Sequence, residues 1–108
     1  MTALITRDDL RAEIDAGKVT VVDCLGGEYY KAQHLPGAVA IRPEEVKQLA
    51  SELLTDKNQQ IVAYCSNPAC PNSEQVARAL AGLGYINVRK YREGIADWTE
   101  AGLPVESI

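Results

Sequence analysis

Gln60-Ile61-Val62-Ala63-Tyr64-Cys65-Ser66-Asn67-Pro68-Ala69-Cys70-Pro71-Asn72-Ser73 passes from an apolar run into a polar loop and then into a helix. Gln60 to Tyr64 has the length and apolar continuity of a buried strand. Ser66 to Asn72 is polar and holds two prolines, so it reads as a loop. Val76, Ala77, Leu80 and Leu83 then recur at helical spacing, and Gly84 closes that helix. Strand, loop and helix in direct succession are the repeating unit of a parallel α/β sheet.

The same alternation extends in both directions. Upstream, Thr6-Arg7-Asp8-Asp9 resembles a capping box and opens a helix carrying Leu10 and Ile14, which Gly17 ends. Val19 to Cys24 is too short and too β-branched for a helix and reads as a second buried strand. Gly26-Gly27 breaks the chain, with a short helical turn expected over Glu28 to Ala32. His34-Leu35-Pro36-Gly37 forms a turn into a strand at Ala38 to Ile41. Pro43, Glu44 and Glu45 suit the first turn of a helix whose apolar stripe is Val46, Leu49, Ala50, Leu53 and Leu54. Downstream, Asn87 to Tyr91 supplies a last strand and Ile95 to Ala101 a final helix, while Leu4-Ile5 is placed to add an edge strand. Strands separated by helices require a parallel sheet covered on both faces. In such sheets ligands bind beyond the carboxyl ends of the strands. Asp23-Cys24-Leu25, Cys65 with its loop, and the turn after Tyr91 all fall at that edge.

Composition sets the outer bounds. The 108 residues fit one domain, residues 1–108, and 46% hydrophobic content is that of a globular protein. A formal charge of −4 and the lack of a basic run argue against nucleic acid or anionic membrane as a partner. No apolar run approaches a membrane span. Met1 to Asp8 has no basic segment followed by a long apolar core, so no signal peptide is expected and the cytosol is the default location. Three cysteines, an odd count in a reducing compartment, argue against a structural disulfide framework.

Cys65 has the strongest local case for chemistry. At a strand end, before a loop that leads into a helix N-terminus, a thiolate would face backbone N–H groups and the positive end of a helix dipole, both of which lower a cysteine pKa. The same surroundings would stabilise a terminal persulfide sulfur.

The residues around these positions resemble a known family. Val21-Val22-Asp23-Cys24-Leu25, Glu28-Tyr29-Tyr30 and His34-Leu35-Pro36-Gly37-Ala38 are similar to the rhodanese signature Asp-x-Arg, Glu-Tyr and His-Ile-Pro-Gly-Ala. Val62-Ala63-Tyr64-Cys65 with Ser73, Ala77, Leu80 and Gly84-Tyr85 resembles that family's active-site strand, loop and helix. Tyr91-Arg92-Glu93-Gly94-Ile95-Ala96-Asp97-Trp98 and Ala101-Gly102-Leu103-Pro104-Val105 resemble its closing motif. The resemblance implies a five-stranded parallel sheet flanked by helices on both faces. It also implies sulfur transfer through a cysteine persulfide on Cys65, with no cofactor and no metal. The expected partners are a sulfane-sulfur donor and a thiol acceptor, either of which can be another protein.

This chain also departs from the family pattern. Family loops commonly run Cys, four residues, Arg, with a glycine between. The loop from Cys65 to Ser73 is longer by two residues and contains neither, and Asn72 stands where the arginine would precede Ser73. Leu25 replaces the arginine of Asp-x-Arg. Two cations that would hold an anionic donor such as thiosulfate are absent, so a protein persulfide or polysulfide is the expected donor. Ser66, Asn67, Ala69, Asn72 and Ser73 are the candidate substrate-binding residues. Arg92 is a replacement cation, whereas Arg78 reads as a solvated helix residue. A phosphatase loop would need arginine at the sixth position after the cysteine, where Pro71 stands.

Cys70, on the same loop, is the candidate second catalytic residue. It would attack a Cys65 persulfide, expel sulfide and leave a disulfide, provided the two prolines let the sulfurs meet. Cys24 reads as a core thiol, and the cysteine and histidine spacing matches no structural zinc site. His34 is expected to brace its turn, Asp23 to order backbone groups at its strand end, and Trp98 and Tyr91 to pack the last helix. The alternative to an enzyme is a rhodanese-like binding or redox-switch module that uses Cys65 and Cys70.

Overall fold

In the computed structural model, which describes residues 2–108, all five expected strands form one parallel sheet. The elements run β1 (Ala3–Leu4), α1 (Arg7–Asp15), β2 (Thr20–Asp23), α2 (Gly27–Ala32), β3 (Val39–Ala40), α3 (Val46–Leu53), β4 (Ile61–Tyr64), α4 (Asn72–Gly82), β5 (Val88–Tyr91) and α5 (Gly94–Glu100). Strand order is β1-β5-β4-β2-β3. The central ladder pairs Val22 with Ala63 and Asp23 with Tyr64, and on the other side of β4 Tyr64 pairs with Tyr91. The ends of β2, β4 and β5 therefore lie at one edge.

Alternation along the strands divides the interior into two layers. Ile61 and Ala63 of β4 join Val22, Cys24, Val46, Ala50, Leu54, Val76 and Leu80 on the face covered by α3 and α4. Val62 and Tyr64 join Val21, Leu10, Leu35, Tyr91, Ile95 and Trp98 on the face covered by α1 and α5. A strand whose residues are buried on both sides needs the continuous apolar sequence that β4 has.

The structure corrects the expected elements in three places. Pro43–Glu45 is a 3₁₀ turn ahead of α3. There the Glu45 N–H donates to the Arg42 carbonyl at 2.9 Å, three residues back rather than the four of an α-helical bond, and the Glu45 carboxylate accepts the Arg42 N–H at 3.0 Å. Along α3 the buried positions are Val46 and Ala50, followed by Leu54 just past the helix, at intervals of four, which leaves Leu53 43% exposed. The strands are also shorter than their apolar runs. β3 keeps only Val39–Ala40, because Ala38 is still turning on the Leu35 carbonyl at 3.0 Å. The Thr6 hydroxyl accepts the Asp9 N–H at 3.2 Å, so the expected cap on α1 is formed on the threonine side.

Candidate active site at the carboxyl edge of the sheet

β4 ends at Tyr64 and delivers Cys65 to the carboxyl edge, where it is 1% exposed. The loop after it is built from local bonds. Asn67 Oδ1 accepts the Ala69 N–H at 2.9 Å and the Asn67 carbonyl accepts the Cys70 N–H at 3.1 Å, so residues 67–70 form a tight turn around Pro68. That turn folds the chain back and joins Cys70 to Cys65 in a disulfide, with Cα atoms 6.2 Å apart. The two prolines therefore do not keep the sulfurs apart. The cysteine count had argued against a disulfide framework; the bond that forms is a local ring at the loop rather than a tie between distant elements. With Cys65 bonded to Cys70, the expected thiolate is not the state seen here. Directly after Pro71 the chain enters α4, whose first N–H groups have no intrahelical acceptor.

The near end of the loop is fastened from the other side. Ile95 N–H donates to the Cys65 carbonyl and Ala96 N–H to the Ser66 carbonyl, each at 3.0 Å. Gly94 makes this approach possible. Its φ is +75°, and a Cβ there would lie 2.6 Å from the Ser66 carbonyl carbon and 2.7 Å from the Cys65 oxygen.

The remaining candidates separate by position. Asn72 Nδ2 donates to the Cys24 carbonyl at 3.0 Å, so this side chain pins the start of α4 to the end of β2. Ser73 is buried in the first turn of α4. Ser66 and Asn67 line a cavity of about 430 Å³ together with Leu25, Tyr29, Ala32 and Gln33 on one side and Ile95, Ala96 and Thr99 on the other. Arg92 does not line it; it borders a separate cavity of about 370 Å³ with Arg7, Glu93 and Asp97, beside the Arg7–Asp97 ion pair. The residues that sequence reasoning missed are Ile95, Ala96 and Thr99 of α5 and Tyr29, Ala32 and Gln33 in and just after α2. Gly94 was the available signal, since a buried glycine at a helix start marks a close backbone approach.

Around the loop the other groups are structural. Asp23 accepts the N–H groups of Leu25 and Gly26 at 2.8 and 3.0 Å and the Tyr64 hydroxyl at 2.5 Å. Burial, reinforced by the charge of Asp23, holds the Tyr64 and Cys24 pKa values well above their usual ranges, so Cys24 stays a thiol. His34 is buried, its Nδ1 lies 2.6 Å from the Tyr30 carbonyl, and its ring stacks on Tyr30, as befits a turn brace. Tyr91 and Trp98 meet edge to face, with ring centroids 6.2 Å apart. Among the described residues no cluster of three or more His, Cys, Asp or Glu side chains could hold a metal, and no helix is long and apolar enough to cross a membrane.

The family model of the rhodanese-like domain matches residues 6–101. The chain belongs to that family. A Bacillus halodurans protein of known crystal structure is 30% identical to this rhodanese-like chain, with a TM-score of 0.89 over 98% of this chain and 77% of that one. An HTH-type transcriptional regulator of Mycobacterium tuberculosis is 37% identical over 102 residues, 94% of this chain and 44% of the regulator. A putative sulfur carrier protein of Bacillus subtilis is 29% identical over 96 residues, 88% of this chain and 50% of the carrier. The rhodanese-like chain thus spans about half the length of these two curated relatives.

Proposed function

We propose that this rhodanese-like chain is a sulfurtransferase in which Cys65 accepts sulfane sulfur and Cys70 resolves the persulfide, acting in the cytoplasm on a donor other than thiosulfate. The observation that carries the reading is the pairing of the two cysteines on one short loop ahead of α4, with Cα atoms 6.2 Å apart. In the reduced loop the Cys65 thiolate attacks the outer sulfur of a persulfide or polysulfide, and the donor leaves as a thiolate. Cys70 then attacks Cys65 Sγ: the Sγ–Sγ bond forms, the bond to the outer sulfur breaks, and that sulfur departs as sulfide with the two thiol protons. The two cysteines are oxidised as the sulfane sulfur is reduced, and a dithiol reductant resets the loop. Two thiols held on one loop react at high effective concentration.

The donor preference rests on charge. Leu25 contributes no cation, and Asn72 Nδ2 is engaged with a backbone carbonyl. A sulfonate would therefore lose its hydration without charge-assisted bonds in return. The sulfur-carrier relative from Bacillus subtilis is in keeping with a protein persulfide as donor or acceptor.

Intact mass after reduction, removal of reductant and incubation with sulfane donors tests this. Cys70→Ser should gain one sulfur from polysulfide, and little from thiosulfate, and hold it. Wild type should release sulfide and return to the Cys65–Cys70 disulfide, and Cys65→Ser should gain nothing on the loop. Equal persulfide lifetimes in wild type and Cys70→Ser would reduce Cys70 to a structural residue. One observation, the closed disulfide itself, also favours a redox-switch module. That reading predicts reversible oxidation with no sulfur gain from any donor.

A further inference from the structure

The cavity beside the cysteine loop has walls from α2 and α5, with Leu25, Tyr29 and Ala32 facing Ile95 and Ala96, and Ser66 at one end. No carboxylate, ammonium or guanidinium group lines it. Its volume of about 430 Å³ falls in the range of small-molecule sites. Resting on the reading of Cys65 as the acceptor of sulfane sulfur, we propose that this cavity holds the carbon chain of an alkyl persulfide donor.

Two features tie the cavity to the nucleophile. Ser66 directly follows Cys65, and both carbonyls are held by the N–H groups of Ile95 and Ala96 at 3.0 Å. The wall of the cavity is thus hydrogen-bonded directly to the backbone of the nucleophile. A chain lying along Ile95 and Ala96 meets Ser66 and Asn67, the first residues of the loop after Cys65. The lining also selects. Anionic oxygens buried here would find no counter-charge, whereas each methylene removed from water favours binding by about three- to fourfold. The uncharged polar groups of Ser66, Asn67 and Thr99 can orient a persulfide without demanding charge.

The step balances without an oxidant. The Cys65 thiolate attacks the outer sulfur of R–S–S–H, the new Sγ–S bond forms as the donor's S–S bond breaks, and the alkyl thiolate leaves with the proton as R–SH.

Two measurements test the assignment. In Cys70→Ser, where Cys65 has no disulfide partner, sulfur gain is followed by intact mass with alkyl persulfides from ethyl to hexyl and with thiosulfate. The rate at low donor concentration should rise about three- to fourfold per added methylene. Adding Ala96→Glu, at an exposed helix position that lines the cavity, should weaken that dependence and slow the hexyl donor by at least about tenfold while leaving the ethyl donor little changed. Separately, hexyl methyl sulfide, which cannot exchange sulfur, should shift the amide resonances of Ala32, Ala96 and Thr99 in the wild-type protein, and ethyl methyl sulfide should bind more weakly. Sulfur gain on Cys65 at rates indifferent to chain length, or no shifts at these amides, overturns the pocket while leaving Cys65 as acceptor. Chain-dependent binding with no sulfur gain from any donor overturns both the donor role and the reading of Cys65.

Discussion

Tyr64 and Asp23 show how a single buried pair shapes the floor of the site. Facing each other across β2 and β4, they form a hydrogen bond of 2.5 Å in an otherwise apolar layer, and the Tyr64 oxygen also accepts the Leu35 N–H at 3.1 Å. Removing the hydroxyl leaves a carboxyl oxygen and a backbone N–H without these partners. Tyr64→Phe should therefore destabilise the protein by about 1–3 kcal/mol, read as a lower urea midpoint at unchanged slope. A variant as stable as wild type would show that water replaces the hydroxyl at both partners. At this scale the sequence was informative where residue chemistry is local. Asp23 bonds the N–H groups two and three residues on, and Cys65 stands at the end of its own strand. It was uninformative for Arg92, whose place beside the Leu4–Asp8 segment depends on where the chain leaves β5.

Individual helices are joined to the sheet by ion pairs as well as by apolar faces. Glu74, in the first turn of α4, accepts Lys90 of β5 at 2.8 Å, Arg78 one turn on at 2.7 Å, and the Thr2 hydroxyl ahead of β1 at 2.8 Å. These partners, Lys90 foremost, depress its pKa from 4.5 to about 2. A carboxylate whose folded pKa is lowered stabilises the fold fully above its unfolded value and loses that contribution as pH falls through the folded value. The stability difference between wild type and Glu74→Gln should thus be constant above pH 4.5 and shrink as pH drops toward about 2. Urea unfolding across that range measures it, and a difference that ignores pH would show the cluster to be energetically silent. The helices themselves were legible because apolar periodicity follows from which face must be buried. Their ends were less so. Whether Pro43 starts an α-helix or a 3₁₀ turn depends on the Glu45 N–H closing on the Arg42 carbonyl three residues back, which periodicity does not encode.

For the whole molecule, the parallel order was legible because β2 and β4 are apolar on both faces, and only a sheet with helices on both sides satisfies them. The cavity between α2 and α5 was not, because it is made where two distant segments converge. Neither buried layer depends on the disulfide, since Cys70 belongs to neither and the bond closes only the short ring from residue 65 to residue 70. A ring that small restricts the unfolded chain little, and loop-closure entropy assigns it about 2 kcal/mol. Reduction should therefore lower the thermal midpoint by about ten degrees, as such a free-energy change does for a domain of this size, and leave a cooperative transition. Near-ultraviolet circular dichroism of Tyr64, Tyr91 and Trp98, followed with and without a dithiol, reads tertiary packing directly. A retained spectrum means that the cysteine loop can open and close over an intact scaffold, as a redox cycle at Cys65 requires. Loss of the spectrum on reduction would make the bond part of the fold and would exclude the resolving role for Cys70, because each turnover would unfold the protein.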